Sequence, residues 1–167
     1  MGDLFGKIYY LFVSLFGQHL SDYLWGYNCE TQAFDASVVY FPIGITMFFL
    51  TIALCVIYYF VVNHPRLNKW WHWIIVSGIV FTINLLIGAI WVDNHLQSGL
   101  IPNCLLYTQM PDGTQIQNIF DLNCWMFGVA NGIISFIWFT ILSIIVKRWS
   151  RNCRHTPWRS LFPKRNK

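Results

Sequence analysis

The side chains that could do chemistry in this chain are few and thinly spread. His64 and His72 flank a short connection between two apolar runs, so adjacent helices would hold both imidazoles at similar depth, an arrangement able to ligate a haem iron or another metal. Both sit at run ends beside Pro65, Arg66 and the tryptophans Trp70, Trp71 and Trp73, where an interfacial histidine is the simpler reading. Cysteines stand at positions 29, 55, 104, 124 and 153 without any Cys-x-x-Cys, which removes the main support for thiol-disulfide exchange. No nucleophile motif, phosphate loop or strong metal-ligand spacing is present. The sequence therefore predicts no catalytic residue, no metal and no cofactor. A membrane redox or lipid enzyme built on His64 and His72 is the minor alternative.

What the apolar runs do contain is a small set of amides, hydroxyls and glycines. Asn84 and Asn131 are the strongest polar residues there, and a buried amide in hydrocarbon needs hydrogen-bond partners on another helix or in a wet cavity. Asn131 and Ser135 are four apart and share a helical face, with Thr140 and Ser143 farther along. These residues fit either interhelical hydrogen bonds or a polar pathway, and Gln18 and Asp22 of the N-terminal segment are candidates for the same role. Gly128 and Gly132 form a G-x-x-x-G motif, which lets a second helix approach closely within the chain or between subunits, and Gly78 and Gly88 offer further close contacts. No carboxylate, ammonium, guanidinium or imidazole lies deep in the runs, which argues against proton-coupled transport.

The runs that must position these residues cover 38–62, 71–92 and 125–146, each long enough to cross about 30 Å of hydrocarbon as a helix. A mean hydropathy of +0.46 with only 11% charged residues agrees with a lipid-exposed chain. Tyr40, Tyr58, Tyr59, Trp70, Trp91, Trp125 and Trp149 cluster at the run ends, as interfacial aromatic belts do. The expected fold is an all-α integral membrane protein, one membrane domain over 1–167 with three transmembrane helices and an N-terminal amphipathic helix.

That N-terminal helix is expected over 4–25, with Leu4, Ile8, Leu11, Phe12, Leu15 and Phe16 on one face and Lys7, Ser14, Gln18, Ser21 and Asp22 on much of the remainder. It fits as a fourth span, as a re-entrant element or as an interfacial helix. Spanning would place the N-terminus in the cytoplasm and turn the polar face toward protein or water.

Lysine and arginine fix the expected orientation. None occurs between Ser21 and Pro65 or between Asp93 and Trp125, Arg66 and Lys69 mark the first connection, and the tail 147–167 carries eight of the chain's 11. The positive-inside rule then places the first connection and the C-terminus in the cytoplasm and the loop 93–124 outside, in a plasma or bacterial inner membrane. Lys147, Arg148, Arg151, Arg154 and Arg159 of the tail read as contacts for anionic lipid or a protein partner rather than for nucleic acid.

The outer loop carries a Pro111-Asp112-Gly113 turn between two β-prone segments, predicting a small hairpin. Cys104 and Cys124 bracket it and form the candidate disulfide, with Cys29 as the alternative partner of Cys104. Function follows from the absence of chemistry and the abundance of packing motifs. The leading expectation is a non-enzymatic, homo-oligomeric channel or membrane-permeabilising protein. The alternative is an accessory or anchoring subunit of a larger complex, docking through tail and hairpin onto cytosolic or membrane proteins. Membrane lipids are partners in either case.

Overall fold

A computed structural model describes residues 2–34, 38–62 and 70–150. The N-terminal segment comprises α1 (Gly2–Tyr10), α2 (Val13–Phe16) and α3 (Gln18–Leu24), followed by a two-stranded ribbon of β1 (Tyr27–Asn28) and β2 (Ala33–Phe34). The long helices are α4 (Tyr40–Val56), α5 (Trp70–Gln97) and α7 (Asp121–Val146). Between the last two come the short α6 (Asn103–Leu106) and a hairpin of β3 (Tyr107–Gln109) and β4 (Gln115–Gln117). Helix α4 runs on as a π-helix over Ile57–Val62, so three helices are long and apolar enough to cross a membrane.

Thr51 meets Asn84, and Gly128 and Gly132 meet Leu85 and Phe81, so successive long helices are antiparallel and the bundle has two unlike ends. The start of α4, the end of α5 and the start of α7 share the hairpin end. The other, basic end holds Val62, Trp70 and Val146, and there Ser150 donates to the carbonyl of Tyr59 at 3.0 Å. Helix α7 lies along α5 and is the central element, with α4 packed mainly on α7.

Several boundaries extend beyond the apolar runs, for local reasons. Pro42 falls in the first turn of α4, where its missing N–H costs no helical bond. Helix α5 continues five residues past Val92, to Gln97. Helix α7 starts at Asp121, four residues before Trp125. A carboxylate favours that helix start, and Asn123 Oδ1 accepts the otherwise unpaired Phe120 N–H at 2.8 Å.

The early start of α7 corrects the disulfide. Cys124 is not in the loop but in the first turn of α7, fully buried and facing the core, and it is a free thiol. Cys29 and Cys104 form the disulfide instead, with Cα atoms 6.3 Å apart. This bond ties the N-terminal ribbon to α6 across a sequence separation of 75 residues, and chain-entropy reasoning gives it roughly 4 kcal/mol. Replacing Cys29 or Cys104 by serine should abolish the non-reducing mobility shift and lower stability by up to that amount. Cys124→Ser should leave the mobility shift in place, and a shift that depends on Cys124 would contradict the pairing.

The hairpin forms as the sequence predicts. Tyr107, Thr108 and Gln109 face Gln117, Ile116 and Gln115 in antiparallel register. Gly113, at φ +83°, closes a Met110–Gly113 turn in which its N–H donates to the Met110 carbonyl at 3.0 Å. The Thr114 hydroxyl, 2.6 Å from Asp112 Oδ1, and the Thr114 N–H hold the exposed Asp112 carboxyl below its ordinary value.

The N-terminal segment departs from a single helix over 4–25. Gly17 at φ +92° breaks it, and α1 with nine residues is about 13.5 Å long, under half a membrane span. The segment folds back along the hairpin-end half of the bundle. Asn123 Nδ2 donates to the Phe16 carbonyl at 2.9 Å, and the Phe16 ring packs edge-on against Phe127. Farther in, Tyr9 stacks on Tyr40, and Phe5 lies against Gly44.

Candidate functional site

Thr51, Asn84 and Asn131 of the long helices converge on one seam, and Asn131 is its hub. It lies ten residues past Asp121, about 15 Å along α7, and is fully buried. Its side-chain nitrogen donates to the Asn84 backbone carbonyl on α5 at 2.7 Å, and its oxygen accepts from the Tyr9 hydroxyl at 2.5 Å. The Asn84 side-chain nitrogen donates to the Val80 carbonyl at 3.0 Å and reaches Thr51 Oγ1 on α4 at 3.5 Å. Thr51 in turn donates to the Met47 carbonyl at 2.7 Å. Elements α1, α4, α5 and α7 are thus joined by hydrogen bonds inside a region from which water is excluded, where an unpaired partner costs most.

The glycines make this approach possible. A Cβ on Gly128 would lie 2.6 Å from the Leu85 carbonyl oxygen and 2.7 Å from the Ala89 Cβ, and one on Gly132 would lie 2.9 Å from the Phe81 ring. Both glycines of the G-x-x-x-G motif therefore pack on α5 of the same chain. Gly88 faces Asn131 from the other side, with its Cβ position 2.9 Å from Asn131 Nδ2. Gly78 has open space around it and packs against nothing.

The remaining hydroxyls are satisfied within the bundle. Ser135 donates to the Gly132 carbonyl at 2.7 Å, while Trp73 Nε1 donates to Ser143 Oγ at 3.1 Å. Gln18 and Asp22 stand apart from the seam. They hydrogen-bond each other at 2.7 Å across one exposed turn of α3. Among the described residues, two buried side-chain polar atoms have no hydrogen-bond partner, Asn84 Oδ1 in the seam and His72 Nδ1 near the basic end.

Around the seam sits a cluster of rings. Tyr9, Tyr40 and Phe127 have centroids 5.2 to 6.2 Å apart, Trp25 meets Tyr40 edge-on, and the Tyr40 hydroxyl donates to Ser21 at 3.0 Å. Tyr9 and Thr51 complete the network, yet composition and helical spacing did not single them out, while Ser21 and Tyr40, expected on a polar face and in an interfacial belt, are both fully buried beside it. The Phe5–Tyr9 and Phe12–Phe16 pairs, aromatic at i and i+4, were the available signal for Tyr9.

Of the basic residues, Lys147 is buried, and burial holds its ammonium below the ordinary lysine value, whereas Arg148 is exposed. Arg151, Arg154 and Arg159 lie outside the described residues, as does His64, the partner proposed for His72. No group of three or more His, Cys, Asp or Glu side chains able to hold a metal occurs among the described residues. Comparison of the chain with protein-family models, curated proteins and solved structures returns no match.

Proposed function

We propose that this chain is an integral membrane protein with its basic end in the cytoplasm, and that it serves as a non-catalytic accessory or anchoring subunit of a larger membrane complex. One observation carries this reading. Asn84, Asn131, Gly88, Gly128 and Gly132 close on one another inside a single chain, while the hairpin end carries an organised, disulfide-tied surface. Phe34, Tyr107, Ile116, Phe120 and Leu122 are exposed there, beside the carboxylates of Glu30, Asp112 and Asp121. Apolar exposure of this kind marks interaction surfaces, and the sequence has no Lys or Arg from Ile8 to Pro65 or from Trp70 to Val146 to neutralise the carboxylates.

The homo-oligomeric pore is the rival reading and now has less support. Its packing motif is occupied by α5, and the hydroxyls on the bundle's exposed faces, Thr82 and Thr140, are bonded to carbonyls of their own helices at 2.9 and 2.8 Å. Gentle solubilisation of native membranes separates the two. The accessory reading expects a different membrane protein at fixed stoichiometry, lost when Phe120→Ser is combined with Asp112→Asn and Asp121→Asn. A self-complex that conducts ions in planar bilayers would restore the pore.

A further inference from the structure

The N-terminal segment crosses the hairpin end of the bundle from α4 to α7. Phe5 packs edge-on against Phe41 and lies against Gly44, Tyr9 stacks on Tyr40, and Phe16 meets Phe127 and Asn123. These partners all belong to the first two turns of α4 and α7, so α1 and α2 pass from one helix to the other near a single level. Gly44 is four residues past Tyr40 and Phe127 two past Trp125, which puts that level about 3–6 Å inside the boundary aromatics. A helix lying in a membrane interface buries its apolar side to roughly 5–10 Å, so the level matches.

The outward face of the segment holds Leu4, Lys7, Tyr10, Leu11, Ser14 and Leu15, all exposed, with Leu11 at 77%. Three things could cover it. Water would leave three leucines and a tyrosine ring unburied at a level where the neighbouring helices are already apolar. A partner helix in hydrocarbon approaches through small residues, and this face offers only Ser14. Phospholipid suits every residue type present. Acyl chains cover the leucines, while Lys7, the one Lys or Arg among the described residues at this end, carries its ammonium along an aliphatic stem to the phosphate level.

We propose that α1 and α2 form a lipid-binding face in the outer leaflet, where Leu4, Leu11 and Leu15 contact phospholipid acyl chains and the Lys7 ammonium pairs with a headgroup phosphate. The assignment rests on the membrane reading given above. The segment is then held from both sides, by the bundle through Tyr9 and Phe16 and by lipid through its leucines.

The test uses the full chain, one copy per nanodisc of phosphatidylethanolamine and phosphatidylglycerol, with Cys55, Cys124 and Cys153 replaced by alanine and the Cys29–Cys104 disulfide intact. Nitroxide labels on Leu4→Cys, Leu11→Cys or Leu15→Cys report collisions with oxygen, which enters hydrocarbon, and with a neutral nickel chelate, which stays in water. Reference labels sit on Ile116→Cys of the hairpin and Ile137→Cys of α7, both exposed positions. The oxygen-to-nickel collision ratio at 4, 11 and 15 should exceed that at 116 about tenfold, because a polar chelate is excluded from hydrocarbon. Leu11→Ser, which gives up little contact with the protein, should raise protease cleavage near Gly17 about tenfold by withdrawing one leucine from lipid. A ratio equal to that at 116 puts the face in water, and few collisions with either reagent put it under protein; each result overturns the site. Unchanged cleavage of Leu11→Ser overturns it too. All three outcomes leave the membrane reading intact while position 137 keeps a high ratio, whereas a ratio at 137 as low as that at 116 overturns the membrane reading itself.

Discussion

Replacing Gly128 by isoleucine is expected to force α7 off α5 and to be among the most damaging single changes in the long helices. The new Cβ would meet the Leu85 carbonyl oxygen at 2.6 Å and the Ala89 Cβ at 2.7 Å, and neither is the end of a flexible side chain that can rotate away. Overpacking of this kind costs about 1–3 kcal/mol, and the upper part of that range applies because the obstruction is backbone. Because α7 also carries Asn131, widening the gap would break the bond to the Asn84 carbonyl. Equilibrium denaturation by sodium dodecyl sulfate in mixed micelles, followed by tryptophan fluorescence, measures the loss. Gly78→Ala is the matched control, because nothing lies within 4 Å of its Cβ position, and should fall within about 0.5 kcal/mol of the parent.

Asn131→Leu is expected to act on a different element, the N-terminal segment. It removes the acceptor of the Tyr9 hydroxyl, which is fully buried, and the donor to the Asn84 carbonyl. The buried Tyr9 hydroxyl left unpaired costs about 1–3 kcal/mol, and loss of the added bond to the Asn84 carbonyl, which keeps its helical donor, costs about 1 kcal/mol more, so the seam should weaken by roughly 2–4 kcal/mol. The expected signature is release of α1, seen as protease cleavage near Gly17 under conditions that leave the parent intact. Tyr9→Phe should cost less, since it leaves only the Asn131 oxygen short of a partner. The double substitution should be less damaging than the sum of the two, because both break the same bond. Strict additivity would show that the two residues do not interact.

The long helices were legible in the sequence because apolar runs of more than twenty residues leave little else to form. Their ends were less legible. Polar residues at 93–97 and 121–124 are helical here because capping and neighbouring turns sustain the helix beyond its apolar part, and the disulfide pairing was hidden by the same effect at Cys124. The hairpin turn was plain, since Pro111, Asp112 and Gly113 each suit their positions. The seam was half visible. Asn84 and Asn131 stand out in any apolar run, but their partners Tyr9 and Thr51 come from distant elements that only the tertiary fold brings together. The buried face of the N-terminal segment was misjudged by about one residue. Leu4, Leu11 and Leu15 are exposed and Tyr9 and Ser21 are buried, whereas Phe16 lies on the buried face as expected. Apolarity gives no drive to turn inward where the surroundings are apolar too, so aromatic packing and hydrogen bonding select the inner face.

The claim on which the rest depends is that the N-terminal segment folds back onto its own bundle, closing the polar seam within one chain. Phe5 and Gly44 test it directly, because a Cβ on Gly44 would lie 3.0 Å from the Phe5 Cβ, so a shift of roughly 0.5 Å apart reaches the separation of disulfide-bonded cysteines. With Cys55, Cys124 and Cys153 replaced by alanine, Phe5→Cys and Gly44→Cys should oxidise to a disulfide in native membranes. The product should run as a monomer, and peptide mapping should place the bond within one chain. Crosslinks formed only between chains, or an unreacted thiol at position 5 modified by membrane-impermeant reagent from the basic end, would contradict the account.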